Sequence, residues 1–266
     1  MELPLSNSGK TSFEVAEHVM DLAGSVLIKR FHTVKNVTFK SEGNPVSDVD
    51  IAVEKAVVPF LKQEFPSFNI LTEESPPIDN GSPYTWIIDP LDGTRNYIAG
   101  IPHFCTTIAL VKSDTILLGI TYDPIRKEKF SCEKGSGAYI GHSLLSVSTK
   151  QQLKSSILGL DIGYYPSQAK AATQLIQAFQ NQTQAIRILG SAALGLAYVA
   201  SGRLDIYCHF SLEPWDLAAG VLFIQEAGGL ATDLQSKPAN LNSSSIIASN
   251  SALHNLFVKQ MNDLPS

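Results

Sequence analysis

Apolar positions at helical spacing open the chain. Val15, Val19, Leu22, Val26 and Leu27 recur at three- and four-residue intervals behind Thr11-Ser12-Phe13-Glu14, which has capping-box spacing. This predicts an amphipathic helix to about Phe31. Lys40 to Pro45 reads as a polar loop containing Gly and Pro. Ser47 caps a second predicted helix to about Phe65, with Pro66 beyond its end. The charged positions of that helix, Glu54, Lys55, Lys62 and Glu64, read as a solvated face. Phe68 to Leu71 predicts a short strand delivering Thr72-Glu73-Glu74-Ser75, and Ser75 to Pro83 is a loop.

From Tyr84 the pattern turns to strands. Tyr84 to Ile88 predicts a buried strand that ends at Asp89-Pro90, because proline has no hydrogen to give a sheet ladder. Phe104 to Val111 and Thr115 to Tyr122 flank Lys112-Ser113-Asp114, a hairpin signal. Lys129 to Cys132 and Ala138 to Ile140 flank Gly135-Ser136-Gly137. With Gly141 that turn approaches a dinucleotide-binding fingerprint, but its spacing is wrong and it enters a strand, so it reads as a hairpin.

The second half alternates. Ile157 to Leu160, Ala185 to Leu189, Leu204 to Tyr207 and Ile246 to Ala248 are predicted strands. Ser167 to Phe179, Ser191 to Ala200, a segment from Trp215 to near Gly228-Gly229, and a terminal segment from Ser251 are predicted helices, with Gly202 placed like a helix C-cap. Alternation implies an α/β arrangement, whereas two helices followed by antiparallel strands imply α+β. One domain of two lobes sharing a cleft is expected, an α+β lobe over about 1–145 and an α/β lobe over about 146–266.

Composition narrows the function classes. Of 266 residues, 44% are hydrophobic and 17% charged, enough for a sizeable core. A net charge of −5 argues against an electrostatic nucleic-acid binder. Cys105, Cys132 and Cys208 are widely spaced without a C-x-x-C pair, which fits a reducing compartment better than a disulfide framework or a zinc site. Met1-Glu2-Leu3-Pro4 lacks signal-peptide character, and the most apolar helical run, Leu217 to Ala231, is broken by Gln225 and Glu226. A cytoplasmic protein, with no membrane or nucleic-acid partner, is expected.

The chemistry concentrates in Trp86-Ile87-Ile88-Asp89-Pro90-Leu91-Asp92-Gly93-Thr94-Arg95-Asn96-Tyr97. An acid at the end of a strand and another in the next turn aim their oxygens at one point, and all-oxygen sets suit hard cations, Mg²⁺ above all. Gly93 permits close backbone approach, and amides that open a helical turn bind anions. Asp-Pro-x-Asp-Gly alone is equally a surface β-turn. The longer stretch resembles the first metal-binding motif of the inositol monophosphatase family, W-x-x-D-P-[IL]-D-G-T-x-N-[FY]. The family's second motif, W-D-x-A-A-G, stands as Trp215-Asp216-Leu217-Ala218-Ala219-Gly220.

The resemblance spans nearly the whole chain and implies an α-β-α-β-α layered sandwich (α/β, α+β), a homodimer and two or three Mg²⁺ ions per site. It makes Glu73, Asp89, Asp92, Asp216 and the Leu91 carbonyl metal ligands, with Glu74 at most reaching a further cation. Asp50, preferred over Asp48, is expected to hydrogen-bond Thr94, the two orienting and deprotonating the attacking water together with Glu73 as a catalytic residue. Gly93 and Thr94 amides are expected to hold phosphate. An exposed acidic loop for Glu73-Glu74, and helix capping for Asp50 and Asp216, are the competing readings of those acids. Two like charges about 4 Å apart cost around 4 kcal/mol at an effective dielectric near 20, so gathering these acids raises their pKa values unless cations compensate.

The implied reaction is Mg²⁺-dependent hydrolysis of a small phosphate monoester by direct in-line attack of water. No H-x-x-x-H pair or G-x-S-x-G elbow suggests other hydrolytic chemistry. Lys40 and Arg187 fall roughly where the family has basic residues near the site. His209 occupies the substrate-binding position where inositol-specific members carry Glu, seven residues before the Asp of the second motif. Imidazole cannot be a permanent anionic acceptor, which puts inositol 1-phosphate in doubt beside other polyol or sugar phosphates, histidinol phosphate and fructose 1,6-bisphosphate. A non-catalytic, metal-binding regulatory protein is the alternative from another class.

Overall fold

A computed structural model describes residues 3–33, 36–41 and 44–263, the side chains of residues 39–41 and 44 excepted. Helix α1 (Ser12–Phe31) starts at Thr11, which exchanges capping-box bonds with Glu14 as its spacing predicts. The stretch read as a loop, Lys40 to Pro45, instead contains the end of β1 (Val37–Ser41) and the start of β2 (Asn44–Ser47), which pair antiparallel. Helix α2 (Asp48–Glu64) is capped by Ser47.

Its charged positions are not simply a solvated face. Glu54 and Glu64 are buried. Ser8 donates to Glu64, and Glu54 accepts from Thr72, Ser75 and the amide of Glu74. A charge enters the interior only with such partners, and these come from segments that the helix pattern does not contain.

Seven strands form one sheet: β3 (Asn69–Thr72), β4 (Tyr84–Asp92), β5 (Cys105–Lys112), β6 (Thr115–Asp123), β7 (Glu128–Glu133), β8 (Ala138–Ile140) and β9 (Ser143–Leu144), in sequential order. Only β3 and β4 pair in parallel. Short helix α3 (Thr94–Ile98) follows β4. The glycine turn at 135–137 joins β7 to β8, a hairpin as expected.

Strand β4 does not stop at Asp89-Pro90 but runs on to Asp92. Its register with β5 breaks between those two acids, and β3 has ended opposite Ile88, so Pro90 stands where no regular ladder asks for its hydrogen.

Then come β10 (Ile157–Leu160), α4 (Pro166–Phe179), β11 (Ala185–Ile188), α5 (Ala192–Ala200), β12 (Ile206–His209), α6 (Pro214–Glu226), β13 (Leu230–Thr232), β14 (Ile246–Ser249) and α7 (Ser251–Asn262). The second sheet runs β11-β10-β12-β14-β13, its first three strands parallel and the rest antiparallel. Strand β13 carries no periodic signal and is found only through its partner.

Alternation along each strand assigns the layers. Trp86, Ile88, Ile108, Leu110 and Ile120 pack against α1 and α2. Ile87 and Ala109, on the opposite face, meet α5 and α6. Those helices also cover Tyr207 and Ala248 of the second sheet, whose Ile206, Cys208 and Ile247 point away to α4 and α7. The result is the α-β-α-β-α sandwich. The middle layer is tight: a Cβ on Gly119 of β6 would come within 2.8 Å of the Ala219 backbone of α6. Among the described residues no helix is long and apolar enough to cross a membrane.

Candidate active site

Parallel pairing of β3 with β4 sets Thr72 opposite Ile88, so Glu73 leaves the end of β3 beside Asp89, which is still held in β4 against Thr107. Glu54 fixes the Glu73 turn from below through its bonds to Thr72, Glu74 and Ser75. Asp89 is buried and accepts from the Leu91 amide at 2.9 Å. Asp216, in the first turn of α6, accepts from the Glu213 amide at 2.7 Å through one oxygen, so it caps the helix and faces the site at once.

Asp89, Asp92 and Asp216 each place a carboxylate oxygen within 4.8 Å of the others. Glu73, Leu91, Gly93 and Thr94 line the same cavity of about 370 Å³. Burial, then the charges of Glu73, Asp92 and Asp216, hold Asp89 well above the usual carboxylate range. Burial pushes Asp92 up to about 6, and burial followed by the Asp92 charge raises Asp216. Carboxyls that repel one another and face a shared space form a hard-cation site by donor chemistry alone.

Asp50 sits at the third position of α2, accepting from the Ser47 amide and hydroxyl, and its other oxygen takes the Thr94 hydroxyl at 3.1 Å. The same hydroxyl lies 2.9 Å from the Leu91 carbonyl; with one proton it serves one acceptor at a time. Burial raises Asp50 above its ordinary value. Capping and the Thr94 contact coexist, while Asp48 pairs with Arg30 instead. Gly93 has φ +91°, and a Cβ there would press within 3.1 Å of the Gly190 and His103 carbonyls, so no other residue fits this turn.

The rest of the first motif anchors α3. Tyr97 donates to the Leu27 carbonyl at 2.7 Å, and Asn96 to the carbonyls of His103 and Leu189, both at 2.8 Å.

A profile of the Inositol monophosphatase family matches residues 10–266. The chain belongs to the inositol monophosphatase family. It is 38% identical over 222 residues to the Nus factor SuhB of Xylella fastidiosa, covering 82% of this chain and 80% of that one. It is 35% identical over 242 residues to a fructose-1,6-bisphosphatase/inositol-1-monophosphatase of Thermotoga maritima, covering 91% and 92%. The crystal structure of the extragenic suppressor protein suhB from Bartonella henselae superimposes with a TM-score of 0.91 at 33% identity, over 94% of this chain and 98% of the other. The inositol monophosphatase family comprises metal-dependent phosphatases of small phosphate esters.

Within this inositol monophosphatase fold, several residues at the site carry no sequence signal. Ser191 and the amides of Ala192 and Ala193, where α5 begins, all donate to Asp92. Asp161, at the end of β10, accepts from the Leu189 and Gly190 amides and the Tyr207 hydroxyl. Tyr164 borders the acidic cavity and a second one of about 230 Å³ beside it. Nothing local to these residues marks them, since their partners lie far off in the chain.

His209 lines the second cavity. The Ser211 amide donates to its Nδ1 at 3.2 Å and burial lowers its pKa, so the ring is neutral with its proton on Nε2. Arg187 lies exposed on β11, bonded to the Ile186 carbonyl and lining neither cavity. The side chain of Lys40 falls outside the described residues.

Proposed function

We propose that this protein hydrolyses a small phosphate monoester with Mg²⁺ held by Glu73, Asp89, Asp92, Asp216 and the Leu91 carbonyl, two or three ions occupying the site. The observation that carries the reading is the convergence of Asp89, Asp92 and Asp216 from two distant motifs on one point. Magnesium bound there supplies the charge that these acids lack and polarises phosphate oxygens and water.

The chain's own residues do the rest. The amides of Gly93 and Thr94 hold the phosphate. Thr94 takes the proton of the attacking water on its Oγ as its own passes to Asp50 Oδ1, which burial favours in the protonated form. Water attacks phosphorus directly and in line, and the bond from phosphorus to the ester oxygen breaks. The departing alkoxide takes a proton from solvent while Asp50 returns its own to solvent, and no side chain is phosphorylated.

Inositol phosphates and related polyol or sugar phosphates are the first substrates to assay, with histidinol phosphate and fructose 1,6-bisphosphate as alternatives. The protein is expected to act in the cytoplasm as a homodimer. The two-lobe division at about residue 145 is supported by the seven-stranded sheet lying before it and the five-stranded sheet after it.

Relatives named Nus factor SuhB favour a second reading, a regulatory role without catalysis. Phosphate release from a panel of monoesters, with and without Mg²⁺, separates the two. Magnesium-dependent release from any of them supports the enzyme, and silence across the panel supports the regulator.

A further inference from the structure

Beside the acidic cavity lies the 230 Å³ cavity, and its walls differ in kind. Ile162, Tyr164 and Ile188 are 41%, 44% and 51% exposed and all three line it; Tyr165, 49% exposed, lines the acidic cavity next door. These are four of the eleven large apolar or aromatic side chains exposed among the described residues. A single exposed isoleucine is ordinary, but such clustering at one mouth marks a binding surface.

Arg95 holds the tyrosine side of that mouth. Its guanidinium lies 4.3 Å from the centre of the Tyr164 ring and donates to the Gly163 carbonyl at 3.3 Å.

The polar groups on the far wall suit a polyol poorly. Each hydroxyl of a polyol brings a proton that needs an acceptor. Asp161 already takes three donors, Ser191 gives its proton to Asp92, and His209 has its Nδ1 occupied and offers a donor. This leaves the Ser211 hydroxyl and one remaining lone pair of Asp161 as acceptors on that wall, fewer than the hydroxyls of a polyol. A buried hydroxyl without a partner is costly, whereas an apolar group in the same place is satisfied by Ile162, Tyr164, Ile188 and Leu212. About 150 Å³ accommodates a single aromatic ring, so this cavity holds one ring on a short linker.

We infer that the alcohol half of the substrate carries an apolar or aromatic body, seated between Ile162, Tyr164 and Ile188 with His209 Nε2–H as its polar contact. This rests on the phosphatase reading above and narrows it.

The test compares kcat/KM for 2-phenylethyl phosphate, inositol 1-phosphate and glycerol 2-phosphate in the Mg²⁺-loaded protein. The phenylethyl ester is expected to lead by about tenfold or more, the scale of a small apolar group in a fitted pocket. Ile188→Ser and Tyr164→Ala should each shrink that lead by about fivefold or more, through KM rather than kcat. Equal or better use of the polyol esters, or a lead unmoved in both variants, overturns the inference while leaving the phosphatase standing. No release from any of the three overturns the inference, and silence across the wider panel of monoesters overturns the phosphatase reading with it.

Discussion

Asp92 and Ala193 are 101 positions apart, yet the Ala193 amide donates to the Asp92 carboxylate at 2.9 Å. Helix α5 therefore begins on an acid from the other sheet, with Ser191 and the Ala192 amide adding their own bonds. The positive end of the helix stabilises the charge, and the contact fixes where the carboxylate points. Ser191→Ala should cost about 2 kcal/mol of stability, the worth of a hydrogen bond to a charged group. It should also raise the Mg²⁺ concentration needed for half-maximal rate by about 10- to 100-fold. Chemical denaturation and a Mg²⁺ titration of activity check the two.

Asp89→Asn removes one of the crowded charges at the centre of the site. Turnover should fall at least about a thousandfold, equivalent to roughly 4 kcal/mol of transition-state stabilisation. The metal-free variant should melt at or above the temperature of the native protein, because repulsion is relieved. A variant with near-normal Mg²⁺-dependent rate refutes the site.

Thr94 makes its contribution through one hydroxyl between Asp50 and Leu91. Thr94→Val should lower kcat by about 10²- to 10⁴-fold with little change in KM, the range for loss of a proton-transfer group. Thr94→Ser keeps the hydroxyl and should restore most of the rate. Steady-state kinetics on both variants distinguish this from a packing defect, which the serine would not repair.

Glu54 is a positioning residue for Glu73. Glu54→Gln removes the charge on which Thr72, Ser75 and the Glu74 amide converge, and its NH2 either opposes the Glu74 amide or forces the Ser75 hydroxyl to accept instead of donate. Weakening of Mg²⁺ binding by about 10- to 100-fold is expected, read by isothermal titration calorimetry, with the helical circular dichroism unchanged.

The buried acids also fix a pH dependence. Asp92 ionises near 6 when folded against an ordinary value of 3.8, and Asp89 and Asp216 shift the same way. A carboxyl with the higher pKa in the folded state holds more protons there, so its destabilising effect is absent below the ordinary value and grows as pH rises through the folded one. His103, His209 and His254, held neutral by burial, act oppositely as pH falls. Bound Mg²⁺ removes the carboxylate effect and leaves the histidines as they are. The gain in melting temperature on adding Mg²⁺ should therefore widen from pH 5.5 to 8; a constant gain would count against the cluster.

The chain by itself determined what short-range forces decide. Capping boxes at Thr11–Glu14 and Ser47–Asp50 work within four residues, and their helices begin where the sequence predicts. Apolar runs bounded by turn residues mark β4, β5 and β6 without reference to their partners. The metal-site acids were legible because Asp89 and Asp92 share one long motif and Asp216 opens a helix in a second. Tertiary structure alone decided what depends on the partner. Glu54 reads as solvated until the Thr72–Ser75 turn is laid on it, β13 is a strand only beside β14, and Pro90 is tolerated inside β4 because β3 has ended. Ser191, Asp161 and Tyr164 enter the site by contacts across the fold. Burial and hydrogen bonding are properties of what surrounds a side chain, and in a folded chain most of that comes from elsewhere in the sequence.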